Sequence, residues 1–86
     1  MKNIAIFGAG GLGKEVATTI LRINRGEQKP TWNLIGFYDD GKEKGTQISH
    51  YGKVIGGIKE VNEVQEPLCL VIAIVTMFAV ANGMRY

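Results

Sequence analysis

The residues best placed to do chemistry lie in two clusters, with a few isolated candidates beside them. The first cluster is Gly8-Ala9-Gly10-Gly11-Leu12-Gly13-Lys14. It follows an apolar run, Ile4 to Phe7, and precedes Glu15 to Asn24, where apolar residues recur at helical spacing. In a strand-turn-helix context the three glycines of G-x-G-x-x-G have separate tasks. Gly8 permits a tight turn, Gly10 lets a phosphate approach the backbone, and Gly13 lets helix and strand pack closely. A helix starting there leaves backbone N–H groups without intrahelical partners, at the positive end of the helix dipole, so the natural occupant is an anion. The second cluster is Asp39-Asp40, just past another apolar run, Trp32 to Tyr38. An acid at the end of the second strand of a β-α-β unit reaches a ribose bound at the glycine turn. Asp39 lies 26 residues beyond Gly13, somewhat farther than usual, and the connection over 26–31 absorbs the extra length. The two acids are adjacent, so they point to opposite sides and one of them meets a ligand first.

Each cluster also has a plainer reading. A glycine turn can serve close packing alone, and Asp-Asp-Gly is a good turn sequence. Gly8, Gly13 and Lys14 have P-loop spacing, but Glu15 occupies the Ser/Thr position, and a carboxylate cannot replace the magnesium-binding hydroxyl beside phosphates. An NTPase is therefore excluded. Lys14 sits in the first helical turn, where it can approach a diphosphate or simply face solvent. An acid after the second strand also opposes a 2′-phosphate, which counts against NADP. Among the isolated candidates, His50 has no carboxylate or nucleophile at a useful spacing, Tyr38 and Tyr51 suit packing or base stacking, and Cys69 sits in an apolar run that suits an inert core thiol. No catalytic residue and no metal-ligand set emerges.

Eighty-six residues form at most one domain. The net charge of +2 with ten scattered Lys and Arg does not build a nucleic-acid-binding face. A lone cysteine fits a reducing compartment, and only Ile4 to Phe7 precedes the glycines, too short for a signal peptide. Leu68 to Ala81 is apolar apart from Thr76 but shorter than the roughly 17 residues that a spanning helix needs. These features predict a cytoplasmic protein without a membrane segment.

Positioning the clusters requires a strand over Lys2 to Phe7, a helix over Gly11 to Asn24 with Val16, Ile20 and Ile23 on one stripe, and a strand over Trp32 to Tyr38. Gly41 to Lys53 reads as a polar, mobile loop and Val54-Ile55 as a very short strand. Ile58, Val61 and Val64 predict a helix of about two turns stopped by Pro67. Leu68 to Val75 is a continuous apolar run expected in the middle of the sheet. The expected fold is α/β: a small Rossmann-like three-layer domain with a three- or four-stranded parallel sheet, helices on both faces, and a ligand at the carboxyl ends of the first two strands.

Four blocks carry a family resemblance: Ile4 to Val16, Ile35-Gly36-Phe37-Tyr38-Asp39-Asp40, Val54-Ile55-Gly56-Gly57, and Val71-Ile72-Ala73-Ile74. Together the chain resembles the N-terminal domain of bacterial sugar acetyltransferases related to sialic acid O-acetyltransferase and UDP-4-amino-sugar N-acetyltransferase. The resemblance implies a domain over residues 1–75 that binds a UDP-sugar. It assigns Gly8, Ala9, Gly10, Gly11 and Gly13, with Lys14 close by, to the diphosphate, and Asp39 and Asp40 to the uridine. It also implies acetyl-CoA as cofactor of the full-length enzymes, bound by a hexapeptide-repeat β-helix that carries the catalytic His. That part has no counterpart in these residues, so the chain by itself is expected to bind rather than catalyse. His50 does not inherit the catalytic role. Residues 76–86 depart from the family pattern and form a tail of uncertain structure, whose apolar groups would favour self-association. Two alternatives stand beside this reading: an NAD-binding half-domain of an oxidoreductase, and a non-catalytic oligomerising fragment.

Overall fold

A computed structural model describes residues 2–26 and 31–74. The first apolar run forms β1 (Lys2–Phe7), and the glycine turn leads into α1 (Gly11–Gly26). The chain returns as β2 (Trp32–Tyr38), followed by β3 (Gln47–Ile48), β4 (Gly52–Gly56), α2 (Ile58–Asn62) and β5 (Cys69–Ile72). The sheet order is β3-β4-β2-β1-β5. β4, β2, β1 and β5 are parallel, four strands where three or four were expected, and β3 adds a short antiparallel edge that makes a fifth.

β1 is central because Ile4, Ala5 and Ile6 are all buried, as a strand covered on both faces requires. On one face α1 buries Gly13, Ala17 and Ile20, and its Val16 and Ile20 border a groove with Ile4 and Val71. Ile23, expected to face the sheet, borders the same groove beside Trp32 but is 43% exposed. On the other face, Val64, just beyond α2, shares a cleft with Ile35 and Leu68. This opposite placement follows from right-handed crossovers: β1 to β2 steps one way across the sheet and β4 to β5 steps the other. Phe37, Ile6 and Val54 are the largest fully buried side chains, each stabilising the fold by about 1.5–3 kcal/mol. The side chain of Asn24 closes α1 onto β2, donating to the Trp32 carbonyl and accepting from the Thr31 and Trp32 N–H groups at 2.8–3.2 Å.

Four expectations require correction. The 41–53 stretch is not a loop throughout: Gln47–Ile48 pairs with Gly52–Gly56 as a hairpin, its turn closed by the Tyr51 N–H on the Ile48 carbonyl at 3.0 Å. The Tyr51 hydroxyl then meets the Thr18 hydroxyl at 2.6 Å, tying this hairpin to α1. The helix expected to reach Pro67 spans only Ile58–Asn62, because the Glu63 and Val64 N–H groups turn back three residues, to Glu60 and Val61, and tighten its end. The last strand is shorter than the Leu68–Val75 run, and among the described residues it pairs with β1 alone, at the sheet edge rather than in its middle. Cys69 is accordingly exposed rather than a core thiol. A continuous apolar run signals two covered faces, but Ile72 is 70% exposed and Ile74 55%. The expected tail, 76–86, lies outside the described residues. Among those residues no helix is long and apolar enough to cross a membrane.

Candidate functional site

Taken in sequence order, the parallel strands lie third, second, first, fourth across the sheet, so the order reverses between β1 and β5. The carboxyl ends of strands flanking such a reversal splay apart and leave a crevice. A cleft of about 450 Å³ lies there, a size suited to a small-molecule ligand. Phe7 and Gly8 at the end of β1, Gly10, Gly11 and Leu12 at the start of α1, Asp39, Asp40 and Gly41 beyond β2, and Ala73 and Ile74 beyond β5 enclose it.

Backbone bonds extend the ladder past the strand ends and fix these walls. The Gly8 N–H donates to the Tyr38 carbonyl at 2.7 Å, the Ala73 N–H to the Phe7 carbonyl at 2.8 Å, and the Asp39 N–H to the Gly56 carbonyl at 2.8 Å. Gly8 has φ of +113°, and a β-carbon there would run into the Ala73 carbonyl oxygen, so β5 approaches the turn only because this residue is glycine. Gly13 is packed against the Gly8 carbonyl in the same way, as the close helix–strand contact expected of the third glycine requires.

The cleft has walls of different character. One wall is the start of α1, where the first helical hydrogen bond runs from the Lys14 N–H to the Gly10 carbonyl at 3.0 Å. Among the described residues no hydrogen bond engages the N–H groups of Gly10, Gly11 or Leu12, and α1 has no acidic residue in its first turn to offset its dipole. Another wall is acidic. The half-buried Asp39 carboxylate accepts from the Ala9 N–H at 2.8 Å and from the Gly41 N–H at 2.7 Å. The exposed Asp40 accepts from the Ile58 N–H at 2.8 Å. Phe7, Leu12, Ala73 and Ile74 supply apolar surface.

A second, polar cleft of about 330 Å³ adjoins the first and shares Asp39 and Asp40 with it, with Lys42, Lys44, Gly56, Gly57 and Glu60 completing it. Glu60 accepts from the Gly57 N–H at 2.6 Å. That hydrogen bond holds its carboxyl below the usual carboxylate value.

The glycine turn and the acidic pair, separated by about 30 residues of chain, thus face one cleft. Gly8, Gly10, Gly11, Asp39 and Asp40 line it. Ala9 is buried and directs its N–H at Asp39, Gly13 lies packed beneath the turn, and Lys14 is exposed and does not line the cleft. His50 sits in the exposed hairpin turn beside Ser49, Tyr51 bonds to Thr18, and Tyr38 is buried, so these three also lie elsewhere. Ala73, Ile74 and Gly41 were not anticipated as lining. The wall beyond β5 follows only from strand order, which residue patterns do not carry.

A family model described as the PglD N-terminal domain matches residues 3–77. No curated protein and no solved structure gives a significant match.

Proposed function

The chain belongs to the family of N-terminal domains of PglD-like UDP-4-amino-sugar acetyltransferases, and from that premise we propose that its cleft binds a UDP-sugar as the substrate-holding part of an acetyltransferase. The observation that carries this reading is the juxtaposition, across one cleft, of unengaged N–H groups at Gly10, Gly11 and Leu12 with the carboxylates of Asp39 and Asp40. A diphosphate takes the amide wall, where helix N–H groups and dipole favour negative charge. The nucleoside takes the acidic wall, where its hydroxyl and N–H donors meet carboxylate acceptors, each such bond contributing roughly 1.5–3 kcal/mol.

Among the described residues, the side chains lining the cleft include no imidazole, thiol or hydroxyl, which favours a binding role. Acetyl transfer requires acetyl-CoA and a general base, and both belong outside this cleft. A nucleotide-sugar substrate and the free thiol of Cys69 suit a reducing, cytoplasmic setting.

Calorimetric titration with UMP, UDP-N-acetylhexosamine and NAD tests the proposal. UDP-sugar and UMP should bind in preference to NAD. An absence of heat at millimolar ligand with folded protein, or a preference for NAD, overturns it.

A further inference from the structure

Asp39 and Asp40 are adjacent in sequence yet differently employed. Asp39 is half-buried, and its two oxygens each accept a backbone N–H, one from Ala9 in the glycine turn and one from Gly41 beyond β2. Ala9 is 1% exposed, so this bond fixes the Gly8–Ala9 peptide at the entrance to the turn, next to the Gly10, Gly11 and Leu12 residues that line the cleft. Asp40 is exposed and borders both clefts. One of its oxygens accepts the Ile58 N–H, and among the described residues no hydrogen bond takes the other.

We infer that the acidic pair divides its labour: Asp39 is a positioning residue that acts on the ligand through Ala9 and the glycine turn, and Asp40 is the carboxylate that contacts the nucleoside. The identity of the ligand rests on the UDP-sugar reading above, while the role of Asp39 is testable without it. A carboxylate that contacts a nucleoside recognises ribose or base donors and offers nothing attractive to phosphate. A carboxylate that shapes the amide wall affects phosphate binding although it touches no phosphate. The two roles therefore separate when the ligand is cut in two.

The experiment follows binding of pyrophosphate, uridine and UMP to the full chain and to its Asp39→Asn and Asp40→Asn variants by NMR titration, with folding checked by circular dichroism. In Asp39→Asn a single, uncharged oxygen can serve only one of the two backbone N–H groups, so the bond to Ala9 is lost or weakened from a charged to a neutral one and the turn loosens. This variant should lose about tenfold or more in affinity for pyrophosphate and for UMP alike, with uridine unchanged. Asp40→Asn should lose a similar factor for uridine and UMP, with pyrophosphate unchanged or tighter because a negative charge has gone. Hydrogen exchange at the Ala9 amide supplies a second reading that needs no ligand: slow in the parent chain and in Asp40→Asn, faster in Asp39→Asn. Should Asp39→Asn fail to fold, Asp39→Ser, which keeps one short acceptor, carries the same comparison.

Loss of uridine binding with pyrophosphate unaffected in the Asp39 variant overturns the inference, as does a parent chain that does not bind pyrophosphate. A parent chain that binds pyrophosphate but neither uridine nor UMP overturns the UDP-sugar reading and the Asp40 assignment, while the pyrophosphate arm still decides the role of Asp39.

Discussion

A β-carbon on Gly13 would meet the carbonyl oxygen of Gly8, and because that oxygen belongs to backbone it cannot rotate away. Gly13→Ala is therefore expected to destabilise the chain by about 1–3 kcal/mol, the usual cost of overpacking, read as a lower midpoint of urea unfolding. The same change at Gly10 or Gly11 meets nothing within 4 Å and should leave stability nearly unaltered while obstructing a ligand in the cleft. Glu60 permits a pH prediction. Its carboxyl lies below the ordinary value of 4.5 because the folded state supplies the Gly57 N–H. A folded-state value that is depressed stabilises above the unfolded value, and the benefit is lost as pH falls through the folded one. The stability difference between the parent chain and Glu60→Gln should thus be constant above about pH 5 and shrink on acidification below 4.5. A difference that grows in acid would refute the assignment. At this scale the glycines were legible because their spacing is mechanical. The division between Asp39 and Asp40 was not, because it depends on which backbone N–H groups the fold brings to each carboxylate.

The strand, turn and helix that form the amide wall were readable from β1 through β2 because long apolar runs and a helical stripe are strong local signals. β3 was not, since its two residues become a strand only by pairing with β4. The edge position of β5 was hidden for the opposite reason: Leu68 to Ile74 has the composition of a doubly covered strand, and position in a sheet is a tertiary property. Asn24, with its three hydrogen bonds to the start of β2, is another feature without a pattern to reveal it. It stands at the far end of α1 from the cleft. Asn24→Ala is expected to cost about 1–3 kcal/mol of stability, since it leaves backbone groups of Thr31 and Trp32 unpaired. UMP affinity, measured on the folded variant, should be unchanged.

At the scale of the whole molecule, the sheet brings a donor-rich helix start, an acidic strand end and an apolar strand end to one crevice, although they come from widely separated parts of the chain. The same architecture leaves Ile72 and Ile74 exposed on and just beyond β5, beside that crevice, and exposed apolar surface on an edge strand favours association. Replacing Ile72 with Lys should shift sedimentation toward the monomer at high protein concentration, whereas Lys in place of the exposed Ile58, away from this edge, should not. We propose that the crevice between the ends of β1 and β5 holds a UDP-sugar. The most direct measurement is a two-dimensional NMR titration of the folded chain with UDP-N-acetylhexosamine. Amide shifts are expected to concentrate at Gly10, Gly11, Leu12, Asp40, Gly41 and Ile74. Shifts concentrated around Lys2 and Cys69 at the opposite end of the sheet, or no shifts at millimolar ligand, would contradict it.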